Sequence, residues 1–314
     1  MKKAVVMNWV ARADLSNLNS GQGVGNLTEL KLYRGNHYPY ISGQSVRRAL
    51  FDTIAREHPH DMKCPPESPC GQIDNCWACD LRGFLIAEKI DENLPGIQEK
   101  RWSPIKVTPA LGQIPVDIAT DMLLQFVHDS NNKIANVQLA ENLYRIGMAI
   151  DVAQIGLQMA PRFEKAGGKK AGDADAEKGK KERFAGWDEE VNVGEEQRRR
   201  RVHAVLDAVY RLSGFAKQAR GAVSLAPEVL VATVQNHYHQ RGVDVLDLDD
   251  RGNVNIERVT ASIQEHQAAG DAVLFGFTPG VVANGRELVS AVAEQGIPSM
   301  RVFEVLERVK ALVE

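Results

Sequence analysis

Apolar residues alternate along residues 5–10 as in a strand. They recur at helical spacing over residues 45–57, where Val46, Ala49, Leu50 and Ile54 share one side and Arg47 and Arg48 another. Ser42, just upstream, suits the N-cap of that helix. The pattern then breaks: Pro59, Pro65, Pro66, Pro69 and Gly71 punctuate residues 58–80, which predicts an irregular lobe, and residues 81–90 resume as strand or helix. Residues 101–119, also proline-punctuated, read as a surface-crossing loop. Two periodic segments follow, 120–137 and 138–158. In the second, Tyr144, Ile146, Met148, Ile150 and Val152 alternate as in a strand of the main sheet.

Residues 163–196 are rich in Lys, Gly, Ala and Glu and poor in aliphatics, so they are expected to form a mobile loop or a segment that orders only on binding. A basic run, residues 198–201, leads into Val202, Val205, Leu206, Val209, Tyr210 and Leu212 at helical spacing. A helix beginning with so much positive charge opposes its own dipole and calls for an anion nearby, although a solvated charge run is the blander reading. Residues 228–238 form a further apolar element. A helix is expected over 253–268, a short buried strand over 272–277 and a helix over 286–294 stopped by Gly296, with a last amphipathic helix from Ser299. With no internal repeat, this mixture fits an α+β, ferredoxin-like sheet with insertions.

At 314 residues the chain exceeds the usual single core, so one main domain with sizeable insertions, or two domains, is expected. A net charge of -3 argues against uniform attraction of polyanions; a nucleic acid would need a local basic groove. The N-terminus reaches Asn8 and Arg12 too early for a signal peptide, and no stretch approaches a membrane span. A cytoplasmic protein with no membrane partner is expected, its four cysteines reduced.

Those cysteines, Cys64, Cys70, Cys76 and Cys79, are spaced C-x5-C-x5-C-x2-C within one lobe. A proline-rich insertion without its own core needs a staple, and zinc held by four thiolates supplies folding energy directly. Such a site is closed and therefore structural. His58 or His60 are alternative ligands, and a thioredoxin-type redox pair lacks the flanking strand and helix. No HExxH, H-x-E…PCxxC, GxSxG or GxxxxGK[ST] pattern occurs, and residues 21–25 lack the third glycine of a dinucleotide loop. No enzyme is expected.

The stretch from Asn17 to Leu50 joins an asparagine- and glycine-rich loop to the start of a basic helix, where free amide groups favour a phosphate. Overlapping it, "ADLSNLNSGQGVGN" and "YPYISGQSVRRALFDTI", together with the later "RLSGFAKQARGAVSLAPEVLVATV" and "GFTPGVVANGRELVSAV", resemble the CRISPR Cascade backbone subunit (Cas7-type), in its DevR-like negative-autoregulator branch associated with type I-B systems. The resemblance implies an RRM-like palm from residues 1–57, 120–160 and 200–314, a cysteine-containing finger lobe over 58–119, a flexible charged insertion over 161–199 and a thumb-like segment near 211–227.

By the same resemblance the chain is a non-catalytic subunit that binds guide RNA and polymerises head to tail with copies of itself. It contacts other Cascade subunits and presents the guide to a target DNA strand in antiviral defence. Ser42, Gln44, Ser45, Arg47 and Arg48 match the helix that contacts the guide backbone. Asn17, Asn19 and Ser20 lie in the loop after the first strand. Lys217, Gln218 and Arg220 sit in "SGFAKQARG", where small neighbours let a nucleic-acid backbone approach. Trp102, Lys106 and Thr108 are candidates for target-strand contact, with core packing the expectation for Trp102. Two rivals remain: a guide-processing endoribonuclease on the same core, with His37, His58, His60 or His203 as general base, and a transcriptional autoregulator on double-stranded DNA, which would need a groove-reading helix.

Overall fold

The computed structural model describes residues 3–19, 27–88, 97–125, 133–165, 182–213, 215 and 222–313. Ser20, Lys217, Gln218 and Arg220 lie outside the described residues, as do parts of the thumb-like segment. Five helices are used below: α1 (Gly43–Glu57), α2 (Gly194–Tyr210), α3 (Ile256–Ala268), α4 (Gly285–Glu294) and α5 (Val302–Leu312).

One mixed sheet organises the chain. Its strands run in the order Ser299–Met300, Ala272–Phe277, Val229–Gln235, Ala4–Ser16, Lys133–Asp151, Ala110–Gly112, Tyr38–Ile41, Leu32–Tyr33. The pairings along it are antiparallel except at the Ser299–Met300 edge. Ala4–Ser16 is central and apolar on both faces because both are covered. Val5, Met7, Trp9 and Ala11 face one core beneath α1, α2 and α5, whereas Val10 faces the other, beneath α3 and α4. This is an α+β fold with an RRM-like core and inserted lobes.

Two polar features pin the sheet. Asn8, fully buried, donates to the carbonyls of Ile146 (2.8 Å) and Val243 (2.7 Å) and accepts from Leu246 N (2.7 Å), tying the central strands to the loop over the second core. A Cβ at Gly147 would lie 2.1 Å from Val243 O, so only glycine lets that loop sit so close.

Several expectations change. The supposed loop over 163–196 has structured flanks: Leu157–Lys165 and Glu182–Asn192 pair as an antiparallel hairpin. Its few aliphatics reflect a ribbon outside the core, which leaves Phe184 and Trp187 exposed. Residues 101–119 hold the short strands Ile105–Val107 and Ala110–Gly112 rather than a continuous loop. Helix α2 begins at Gly194, not at the arginine run. Glu195 and Glu196 fill its first turn and satisfy the dipole, and Arg198 and Arg201 are buried. The last helix starts at Val302, after an edge strand at Ser299–Met300. Among the described residues no helix is long and apolar enough to cross a membrane.

Candidate nucleic-acid interface

Helix α1 enters from the strand Tyr38–Ile41, and its start is fixed by its own sequence. Ser42 Oγ accepts from Ser45 N at 3.2 Å, closing the cap. Ser42 N donates to Asn19 Oδ1 (3.1 Å), while Asn19 Nδ2 donates to Tyr40 O (2.9 Å), so Asn19 brackets the strand–helix junction. Asn17 Nδ2 donates to Glu29 O (3.2 Å) and Gln138 O (3.1 Å). Both asparagines are buried, and their amides hold the loop in shape from within.

The two arginines of α1 differ. Arg48 is exposed and pairs with Asp52 one turn on at 3.2 Å. Arg47 turns inward: it donates to Ile105 O at 3.0 Å and to Arg82 O, and its guanidinium lies 5.0 Å from the Phe51 ring centroid, with Arg82 on the same ring at 5.6 Å. Burial, and then the neighbouring Arg82, lower the Arg47 pKa from the usual arginine value.

Between the start of α1 and a short hairpin, Phe84–Glu88 with Ile97–Arg101, lies an open cleft of about 740 Å³. Ser42, Gly43 and Gln44 form one wall. Arg47, Arg82, Lys100 and Lys106 contribute cations, Arg101 lines it with its charge paired to Asp80, and among the described residues no acidic residue lines it. Trp102 stands at the cleft 77% exposed, with Lys100 Nζ 5.5 Å from its ring centroid. Core packing for Trp102 is thus corrected: the segment around it runs over the surface. Lys106 lines the cleft, whereas Thr108 lies behind it, its hydroxyl accepting from Gly147 N at 2.8 Å. Gly83 (φ 75°) makes the turn into the hairpin, where a Cβ would lie 2.5 Å from Arg101 O. None of His37, His58, His60 and His203 lines the cleft.

Beside it sit the cysteines. Cys64 Sγ is 3.4 Å from both Cys76 Sγ and Cys79 Sγ, Cys70 Sγ is 3.6 Å from Cys79 Sγ, and all four sulfurs lie within 4.8 Å of one another. A tetrahedral zinc with Zn–S near 2.3 Å would place its sulfurs about 3.8 Å apart, so the cluster is compatible with a zinc site. Burial raises the Cys79 pKa, aided by the Cys64 and Cys70 thiols. Burial acts the same way on Cys76, but hydrogen bonds from Cys79 N, the Cys64 and Cys70 thiols and Lys63 N outweigh it and lower that group.

A π-helical turn, Ala78–Arg82, joins the cluster to the cleft. At its middle Asp80 is fully buried and accepts from Gly156 N (2.9 Å), from Arg201 Nη1 (2.5 Å) and from Arg101 Nη2. Arg201 also donates to Ile73 O and Asp74 O, both at 2.8 Å. Through this carboxylate the cysteine lobe, helix α2 and the cleft wall are held together. The turn ends at Arg82, whose carbonyl holds Arg47. Sequence reasoning missed Asp80, Arg82, Lys100, Arg101 and the burial of Arg201. One signal was present: Arg198, Arg201, Val202 and Val205 fall at i, i+3, i+4 and i+7, which puts both arginines on the apolar face.

A family model described as CRISPR-associated negative auto-regulator DevR/Csa2 matches residues 60–246. Among solved structures, a chain of a CRISPR RNA-guided surveillance complex is similar with a TM-score of 0.57 at 10% identity, over 99% of this chain and 100% of that one. A chain of a CRISPR RNA-guided surveillance complex described as pre-nicking gives a TM-score of 0.55 at 8% identity, over 99% of each chain. At such identities the likeness is one of fold. No curated protein matches the sequence.

Proposed function

This chain belongs to the CRISPR-associated negative auto-regulator DevR/Csa2 family, and from that premise we propose that it is a non-catalytic Cascade backbone subunit that binds guide RNA, assembles head to tail along it and presents it to a target DNA strand. The observation that carries this reading is the basic cleft at the start of α1, which no acid lines among the described residues. Its chemistry suits a sugar-phosphate backbone: helix-start amides at Gly43 and Gln44, the Ser42 hydroxyl with Ser45 one turn behind it, and the cations of Arg47, Arg82, Lys100 and Lys106 contact phosphate without reading sequence. Arg48, one face over, extends the positive surface. Trp102 offers a ring on which one unstacked base rests, with Lys100 beside it for the adjoining phosphate. Specificity then comes from base pairing by the bound guide, as in other RNA-guided systems.

In this reading Asn17 and Asn19 shape the loop next to the RNA path, with Ser20 at its edge, and Lys217, Gln218 and Arg220 belong to a thumb that contacts the guide further along. Residues 58–119 act as a finger lobe on the palm. Cys64, Cys70, Cys76 and Cys79 hold a structural zinc, which supplies folding energy to that lobe and no reactivity. A heterologous contact that does not close generates the filament, and the RNA sets its length.

The test is to purify the full chain from its host, read the absorbance ratio at 260 and 280 nm, and size any nucleic acid extracted. Discrete RNA in a large, ribonuclease-sensitive particle is the expected result. A nucleic-acid-free monomer that neither binds added guide RNA nor assembles on it would overturn the proposal.

A further inference from the structure

On the face of the sheet opposite α1, the chain leaves the central strand Val229–Gln235 into a loop carrying His239, and helix α3 ends nearby with His266 in its last turn. Gly270 (φ 76°) reverses the chain, and Asp271 N donates to His266 O at 2.9 Å, which brings the Asp271 carboxylate back over the end of the helix. Three side chains from two distant parts of the sequence then converge. His266 Nδ1 lies 2.9 Å and His239 Nε2 3.4 Å from the same oxygen, Asp271 Oδ2, and the three ligand atoms all fall within 4.8 Å of one another.

The carboxylate at this point has only imidazoles around it among the described residues. The Asp271 side chain is 4% exposed, and among the described residues its ion-pair partners are the two imidazoles; no lysine or arginine reaches it. A buried carboxylate is kept only with hydrogen-bonding or cationic partners, and imidazole nitrogens that face it can share a metal ion with it. Two imidazoles and a carboxylate are a donor set for zinc, cobalt or nickel, whereas calcium and magnesium take oxygen ligands. The spacing agrees: with ligand–metal distances near 2.1 Å, neighbouring ligand atoms sit about 3.0 Å apart around an octahedral ion and about 3.4 Å around a tetrahedral one. The His239 side chain, 32% exposed, opens the site to solvent, while His266, at 5%, anchors it. The loop is held independently of any ion: in the amide orientation that satisfies its neighbours, buried Gln235 donates to His237 O (3.2 Å) and His239 O (3.1 Å).

We propose that His239 Nε2, His266 Nδ1 and Asp271 Oδ2 form a binding site for one divalent transition-metal ion, separate from the four cysteines and on the other face of the sheet. The ion clamps the end of α3 to the loop after Val229–Gln235. With three protein ligands, at least one coordination position is left to water.

The test is equilibrium dialysis of the full chain against Co2+, with bound metal quantified, for the wild type and for His239→Gln, a change at a solvent-facing position. The wild type is expected to hold one equivalent more than His239→Gln, and the cobalt–thiolate charge-transfer absorption of the cysteines to be identical in the two. A second variant, Asp271→Asn, is expected to lose the same equivalent. Equal metal content in wild type and His239→Gln would overturn the proposal, and the comparison holds whether or not the cysteines or RNA bind as proposed above.

Discussion

Replacing Asp80 with asparagine removes one charge from a site with no access to water. Asp80 is 0% exposed, and its two cationic partners, Arg201 and Arg101, have side chains 1% and 7% exposed. Removing one member of a buried ion pair costs about 3–5 kcal/mol, because the remaining charge stays desolvated without its partner. Asparagine keeps one carbonyl oxygen for Gly156 N or Arg201, which places the loss near the lower bound, about 3 kcal/mol, or roughly a hundredfold in the folding equilibrium. Against a total of about 5–15 kcal/mol that is a large fraction. The assay is urea unfolding of the full chain, comparing midpoints at equal slope. The control is Arg48→Ala: its exposed pair with Asp52 at i, i+4 is worth about 0.3–0.5 kcal/mol, so that midpoint is expected to stay near wild type. If Asp80→Asn unfolds within 1 kcal/mol of Arg48→Ala, Asp80 is not the joint between the cysteine lobe, α2 and the cleft, and the reasoning fails.

Arg48→Ala and Lys106→Ala, both at exposed cations, are expected to lower the slope of log affinity for single-stranded RNA against log salt by about 0.7 each while leaving the melting temperature unchanged; salt titrations by fluorescence anisotropy with unaltered slopes would remove them from the interface. Arg47→Ala is expected to weaken RNA binding and also stability, by about 1–3 kcal/mol, since it strands the buried carbonyls of Ile105 and Arg82; differential scanning calorimetry separates it from Arg48→Ala. Trp102→Ala is expected to cost about 1–3 kcal/mol of RNA affinity at an unchanged salt slope, with quenching of Trp102 emission on binding in the wild type; an RNA affinity equal to wild type excludes stacking there. Cys76→Ser, or treatment with a chelator, is expected to lower the melting temperature and abolish bound zinc, with zinc affinity falling as pH drops because protons compete for the thiolates; a chelator-insensitive melting curve refutes the zinc staple.

How much of this was legible beforehand follows from which forces are local. The strand around Trp9, the helix after Ser42, the 272–277 strand and the helix ended by Gly296 rest on periodicity and capping, which lie within one stretch of chain, and the structure has each of them. The cysteine cluster was readable for the same reason, because all four thiols fall within sixteen consecutive residues, 64–79. What failed to show was decided by partners distant in sequence. Arg47 and Arg48 are adjacent and chemically alike, yet one is half-buried against the carbonyls of Arg82 and Ile105 and the other is left in solvent. Asp80 looks like an ordinary acid after a cysteine pair until Arg201, 121 residues away, is folded against it. Asn17 and Asn19 are expected from the resemblance as RNA-contacting residues of the loop after the first strand, but a loop that packs beneath a helix start needs internal hydrogen bonds, and these two side chains supply them. The cleft combines both cases. Its helix-start amides and Arg47 were visible in one local motif, while Arg82 arrives from the π-helical turn and Lys100 and Arg101 from the hairpin after it, both positioned by a carboxylate buried beside the cysteines. Where a basic surface is assembled from two such segments, net charge is uninformative, which is how a chain of net charge -3 presents a cleft lined, among the described residues, by cations and no acid.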